Sequence, residues 1–290
     1  MTPPSMDPPP THKHKHMHTS PQPQPQPSEP ELISSKDNAS LKAWRRLAHE
    51  SSAYRLAQRF WVEGEHLCEA ALSAGVLIHT GVFTPEAWKR WGARWQPLCE
   101  RVVLLTPGLF ASLSALESSA GFGFECALPP APSLNPCANT LVLDRLQDAG
   151  NVGTLLRSAA AFGCTQVLAM KGTVALWSPK VMRSGMGAHF GLALMEGLEP
   201  PALDALEVPL LATSSHQGEF LHVLAASRAL PNPCAWAMGH EGQGLSPALL
   251  SKARMSVRIW QPSGQESLNV AVAASICLYT SASSAAKPSP

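Results

Sequence analysis

The sequence predicts an α/β protein in two parts, a small compact α/β domain followed by a larger domain built on a parallel sheet. Three observations predict it. Strand-length apolar runs alternate with helix-length stretches along the globular part of the chain. In the second half those runs are apolar at successive positions, the pattern of parallel strands covered on both faces by helices. Between the halves lies Pro129-Pro130-Ala131-Pro132-Ser133-Leu134-Asn135-Pro136, where each proline fixes its own φ and turns its predecessor away from helix. Residues 129–138 therefore read as a stiff linker between a domain of residues 36–128 and one of residues 139–283. A chain of 290 residues is long enough for two separate cores.

Residues 1–35 hold Pro3-Pro4, Pro8-Pro9-Pro10, alternating Pro and Gln from Pro21 to Pro27, and histidines at His12, His14, His16 and His18. Such a stretch has little apolar surface to offset the entropy of ordering it, so we expect a disordered tail. The histidines read as solvated, and no metal site is assigned. From Asn38, Leu41, Trp44, Leu47 and Ala48 recur at helical spacing, while Lys42, Arg45, Arg46 and His49 fall largely on another face. The expected elements after this basic helix are a strand over 59–65 that ends in a turn and strands at 76–79, 102–105 and 122–128, with helices at 67–74, 85–91 and 107–116. Past the linker, strands are expected at 140–143, 166–170, 208–212, 234–238 and 256–259. Helices are expected there at 153–162, 179–184, 247–253 and 268–280, with residues 284–290 a short tail.

Charge is nearly balanced, 22 Lys and Arg against 21 Asp and Glu, so the total predicts no polyelectrolyte-like affinity for nucleic acid. Its distribution is uneven: residues 36–101 carry ten Lys or Arg against seven acids, net +3, making the N-terminal domain the better candidate to touch phosphate. Seven scattered cysteines without a C-x-x-C pair argue against a disulfide framework and for a reducing cytoplasm. No apolar run approaches the ~20 residues that span a bilayer, and no signal peptide opens the chain, so a soluble intracellular protein without a membrane partner is expected.

Three separated stretches place polar residues at fixed spacing where apolar patterning should rule: Asn151 to Arg157, Gly239 to Leu245, and Glu266 to Val270. In the first, Asn151 and Arg157 sit around the start of a helix after a strand. Gly153 there permits close backbone approach, and the helix N-terminus favours an anion. In the second, Glu241 lies in a loop between Gly239, Gly242 and Gly244. In the third, Ser267 is a good N-cap residue and Asn269 follows it at the leading edge of a helix. That helix is apolar on nearly all sides and is expected to be buried.

In order and separation these stretches resemble the motifs of the SpoU (TrmH) family of RNA 2'-O-ribose methyltransferases, in the SPOUT superfamily, over about residues 36 to 283. The resemblance implies a trefoil-knotted parallel-sheet domain preceded by a ribosomal-protein-like substrate-binding domain. It implies S-adenosylmethionine as cofactor, a homodimer, and ribosomal RNA ahead of transfer RNA as substrate. By the same match Arg157 is the catalytic arginine, with Asn151, Glu241, Ser267 and Asn269 around it. A guanidinium is effectively never deprotonated, so Arg157 is read as binding phosphate and steadying negative charge on the attacking oxygen, with the proton's acceptor left open. Thr213, Ser214, Gly239, Gly244, Ile259 and Leu268 are the matching cofactor-side positions, and Arg45, Arg46, Arg55 and Arg59 the RNA-side ones. This chain has His240 where Asn is common and Trp260 where Pro is usual. Arg183 to Ala188 resembles a further family segment, read as tight packing.

Two other readings compete. A dinucleotide-binding oxidoreductase would need a G-x-G-x-x-G with a downstream acid, which does not occur in context. A non-catalytic RNA-binding protein would have no need of the set Asn151, Arg157, Glu241, Ser267 and Asn269.

Overall fold

The computed structural model describes residues 30–262 and 268–285. The N-terminal part is a five-stranded sheet of β1 (Glu31–Ile33), β2 (Arg59–Glu63), β3 (Ile78–Phe83), β4 (Cys99–Leu105) and β5 (Phe122–Ala127), in the order β1-β4-β3-β5-β2. Its β1, β4 and β3 run parallel, and β5 is antiparallel to both β3 and β2. Five helices connect it: α1 (Ala39–His49), α2 (Ala53–Ala57), α3 (Glu65–Ser73), α4 (Pro85–Trp95) and α5 (Pro107–Leu113).

Local chemistry sets the helix ends. Asn38 caps α1 by accepting from the Leu41 amide at 3.1 Å, and the buried face of α1 is Leu41, Trp44, Leu47 and Ala48, as its spacing predicts. Thr84 caps α4 in the same way, with Pro85 at the first helical position. The expected tail boundary at residue 35 is corrected: Glu31, Leu32 and Ile33 pair with Val103, Leu104 and Leu105, and Ile33 is buried. A three-residue strand at a sheet edge is too short to show a period.

The C-terminal part is a seven-stranded sheet of β6 (Thr140–Asp144), β7 (Gln166–Met170), β8 (Ala193–Leu198), β9 (Leu210–Thr213), β10 (Glu219–Phe220), β11 (Ala235–Gly239) and β12 (Met255–Arg258). The order is β10-β12-β9-β11-β6-β7-β8 and every neighbouring pair is parallel. Helices α6 (Ala149–Ala161), α7 (Pro179–Gly185), α8 (Leu221–Ala226), α9 (Pro247–Leu250) and α10 (Val270–Ala285) accompany it. Parallel strands of one sheet end on one edge, so the loops after β12, β9, β11 and β6 form a single row about 4.8 Å apart.

Residues 128–139 form neither helix nor strand, yet the two parts share one buried core. Phe60 of β2 packs 5.0 Å from the Trp177 ring and 6.1 Å from Phe190. Tyr54 donates to Glu196 at 2.7 Å across the junction; burial and that carboxylate push the phenol up, so it keeps its proton. Beneath α1, the buried Glu125 accepts from Arg59 at 2.8 Å, Thr80 at 2.9 Å and Trp44 at 3.0 Å. Burial alone would raise its pKa, but these donors hold it below the usual carboxylate value. No helix among the described residues is long and apolar enough to cross a membrane.

His189 lies buried behind α7, its Nε2 donating to the Leu176 carbonyl at 2.9 Å while Nδ1 has no partner. Burial pulls its pKa down from 6.5 to about 4, so the folded protein holds it neutral. Its contribution is intact above pH 6.5 and is lost as pH falls toward 4, because the unfolded chain takes up a proton the folded one refuses. Unfolding free energy followed by urea titration from pH 7 to 4 should fall by up to about 1.4 kcal/mol per pH unit from this residue, and His189→Gln should flatten that part of the slope.

Candidate active site

Helix α6 starts at the carboxyl end of β6, capped by Asp148, whose Oδ1 accepts from the Asn151 amide at 2.7 Å. Residues 151, 154 and 158 fall on one face by helical spacing, and that face meets α10. Ser158 and Ser275 share a hydrogen bond of 2.7 Å, and Asn269 Nδ2 donates to Asn151 Oδ1 at 3.0 Å. From its other side Asn151 Nδ2 donates to Glu241 Oε1 at 3.3 Å. One amide thus joins residues of all three stretches, across separations of 90 and 118 residues.

Asn269 also caps α10, its Oδ1 accepting from the amides of Ala271 at 2.9 Å and Val272 at 3.3 Å. The capping expected of Ser267 is therefore performed by Asn269; Ser267 and Glu266 lie outside the described residues. The opposite face of α6 packs on α7. A Cβ on Gly153 would overlap Ser184 Oγ and come within 2.7 Å of the Gly185 amide, so Gly153 serves a helix contact rather than a ligand.

The loop after β11 doubles back so tightly that a Cβ on Gly239 would overlap the Gly244 carbonyl carbon and the Leu245 amide. Gly244 donates to the His240 carbonyl at 2.8 Å, and His240 Nδ1 accepts from the Gly242 amide at 3.0 Å, which makes His240 part of the turn. Residues that the motif reading missed hold this loop down. The buried Asp144 accepts from the Ser246 amide at 2.6 Å and from Arg145 Nε at 3.2 Å. Arg145, at φ 60°, reaches on to Gln243 Oε1 at 3.0 Å and the Gly244 carbonyl at 3.3 Å. An acid ending an otherwise apolar buried strand was the available signal.

The cofactor-side positions lie on the same edge with different freedoms. Thr213 spends its hydroxyl on the Ala237 carbonyl at 2.8 Å, and Ser214 Oγ accepts from the amides of Gln217 at 3.0 Å and His216 at 3.2 Å. Ile259 is half-buried after β12 and Leu268 exposed before α10. Arg157 is exposed, roughly 9 Å along α6 from Asn151, and has no hydrogen bond or ion pair among the described residues. The single chain does not bring it to Glu241 or Asn269, nor to Asp148, which faces Lys180 at 4.0 Å.

Of the four arginines proposed for RNA, two are committed elsewhere. Arg59 is bound to Glu125, and Arg55 bonds Tyr54 at 3.1 Å with Glu196 at 3.7 Å. Arg46 pairs along its helix with Glu50 at 3.2 Å, and Arg45 holds Ser112, both at the surface of α1.

A shallow cleft of 420 Å³ lies between α6 and α10, lined by Asn151, Thr154, Asn269, Val272, Ser275, Ile276 and Tyr279 among others. A larger concavity of 800 Å³, between Arg55, Trp177, Phe190 and the Pro129–Pro132 segment, holds none of the motif residues, so size alone does not mark the site. Around the smaller cleft the expected burial of α10 holds only in part. Ala271, Ala274, Cys277 and Leu278 are buried, but Val272 is 49 % exposed, Ile276 36 % and Tyr279 60 %.

A glycine loop and two capped helices gathered on the carboxyl edge of an all-parallel sheet define an α/β enzyme of the nucleotide-cofactor class. The family model of the SpoU rRNA methylases matches residues 138–279. An uncharacterized tRNA/rRNA methyltransferase of Synechocystis sp. is 31% identical over 265 residues, covering 85% of this chain and 92% of that protein. The 23S rRNA (guanosine(2553)-2'-O)-methyltransferase RlmP of Bacillus subtilis is 29% identical over 250 residues, 85% of this chain and 97% of that one. A crystal structure of an RNA 2'-O ribose methyltransferase superposes with TM-score 0.69 at 29% identity, covering 87% of this chain and 98% of the other. The SpoU methyltransferase AviRb of Streptomyces viridochromogenes, in complex with AdoMet, shares the fold at TM-score 0.76 and 22% identity. The chain belongs to the SpoU rRNA methylase family.

Two substitutions separate the latch from the packing. Asp144→Ala removes the buried partner of Arg145 and the Ser246 amide, and should lower unfolding free energy by about 3 kcal/mol in urea titration. Gly153→Ala should cost about 1–3 kcal/mol by overpacking, while hydrogen exchange at the amides of residues 240–246 stays slow.

Proposed function

We propose that the protein methylates a ribose 2'-hydroxyl in structured RNA, with ribosomal RNA as substrate and S-adenosylmethionine as donor. The observation that carries this reading is the Asn269–Asn151–Glu241 chain of hydrogen bonds, which unites the three stretches at one sheet edge. The residues fit such a donor. Thr213, Ser214, Gly239, Gly244, Ile259 and Leu268 are themselves uncharged, Arg145 beside Gly244 is paired with Asp144, and Glu241 brings a carboxylate to that edge. S-adenosylmethionine supplies an electrophilic methyl group. In-line transfer requires the ribose oxygen roughly 3 to 3.5 Å behind that methyl carbon, and Asn151 and Asn269 are the residues that would hold it there.

Asn151 and Asn269 form a rigid amide pair for orienting the ribose, each fixed by partners on both sides. A guanidinium offers only N–H donors, so Arg157 binds phosphate and steadies the oxyanion rather than taking the proton. A homodimer in which the partner copy completes the site is part of the same reading: Val272, Ile276 and Tyr279 form an exposed apolar stripe on α10, along the cleft, that suits such an interface. Arg45 and Arg46, on the exposed side of α1, are the RNA-side residues, and the substrate-binding domain ends at the 129–138 linker. The trefoil knot belongs to the same reading, supported by the parallel strand order. Seven free cysteines support a reducing, cytoplasmic setting.

The test is transfer of a tritiated methyl group to total rRNA and tRNA from a strain lacking the gene. Label should enter rRNA, and Arg157→Ala should lower the rate by about 10²–10³; labelling of tRNA alone overturns the substrate assignment, and RNA binding without S-adenosylmethionine binding overturns the enzyme. In light scattering the wild type should be a dimer, and Ile276→Asp with Tyr279→Asp should yield monomers that have lost activity.

A further inference from the structure

Seven of the eight tryptophans are buried or half-buried in the fold, and Trp260 is 58 % exposed. It stands just past the end of β12, its ring 5.3 Å from that of Phe220 at 85°. Phe220 pairs with Arg258 across β10 and β12, and Arg258 lies over the Phe220 ring at 4.2 Å while donating to the Gly218 carbonyl at 2.9 Å. His222 stacks beside Phe220 at 5.6 Å. The result is an ordered group of two aromatic rings, an imidazole and a guanidinium, open to solvent.

We infer that Trp260, Phe220 and Arg258 form a stacking platform for an unpaired base of the RNA, next to the nucleotide that is methylated. An indole face, a nearby cation and an edge-on aromatic support are the parts from which proteins build sites for splayed bases, because every base offers a π-face whatever its sequence. Position adds to composition. Strand β12 ends on the same edge as β11 and β6, with two strand spacings, roughly 10 Å, between its end and the Glu241 loop. The ribose is held at Asn151 and Asn269, so the base over Trp260 is a flanking one. Gly218 fixes the arrangement: a Cβ there would overlap the Ser256 carbonyl oxygen, so the turn before β10 lies directly on β12 and presents its carbonyl to Arg258.

This inference rests on the RNA-methylating reading, and its test separates the two. Full-length wild type, Trp260→Ala and Trp260→Phe are titrated with a fluorescein-labelled RNA hairpin carrying an unpaired loop, with a fully paired RNA duplex, and with S-adenosylmethionine in a calorimeter. Because Trp260 is exposed, thermal melts of the three proteins should coincide. Trp260→Ala should weaken the hairpin about tenfold, Trp260→Phe should restore most of that loss, and affinities for duplex and S-adenosylmethionine should move less than twofold. Unchanged hairpin affinity overturns the platform; so does a loss confined to S-adenosylmethionine, which would make Trp260 a wall of the adenine pocket. Wild-type protein that transfers no methyl group counts against the proposed function, whereas wild-type transfer with an indifferent Trp260→Ala counts against the platform alone.

Discussion

The side-chain amide of Asn151 is the joint on which the site depends. An amide offers donors at one atom and an acceptor at the other, so it can serve a carboxylate and a second amide together. Asn151 does this, giving N–H to Glu241 and taking N–H from Asn269. An aspartate here would set a carboxylate oxygen, in place of an N–H donor, against Glu241, and an alanine would leave the strand-end loop and the α10 cap without a common partner. Each of the three residues is anchored by its own element: Asn151 in the first turn of α6, Glu241 in the doubled-back loop, Asn269 at the cap of α10. The pocket's precision is thus inherited from the sheet that carries these elements.

Helix α6 works on two sides. One side gives Asn151 and Thr154 to the cleft and Ser158 to a hydrogen bond with Ser275, and the other gives Gly153 to close packing on α7. Asp144 and Arg145, just before it, fasten the Glu241 loop. Packing, latch and chemistry therefore fall within the fifteen consecutive residues from Asp144 to Ser158.

How much was legible follows from what each signal measures. Strands β6, β7 and β11 were readable because each carries three or four successive apolar residues, Leu141 to Leu143, Val167 to Met170 and Ala235 to Met238. Strand β8 was not, because Glu196 and Gly197 interrupt its run, and β10 and β1 are too short to carry a period. The meeting of Asn151, Glu241 and Asn269 was legible as polar residues out of place. The engagement of Arg55 and Arg59 was not, since Glu196 and Glu125 are distant in sequence and nothing local distinguishes a bound guanidinium from a free one. An all-round apolar helix announces that α10 is to be covered, and that is true of Ala274 and Cys277; periodicity says nothing of which molecule covers Val272, Ile276 and Tyr279.

The aromatic seam of Phe60, Trp177 and Phe190, with Tyr54 bonded to Glu196 beside it, joins the two parts of the molecule through packed side chains as well as through the linker. With α1 on the RNA side, as proposed above, this mounting would act as a ruler between α1 and the strand-end pocket, and an RNA would be sorted by whether its own folding presents a ribose at that offset.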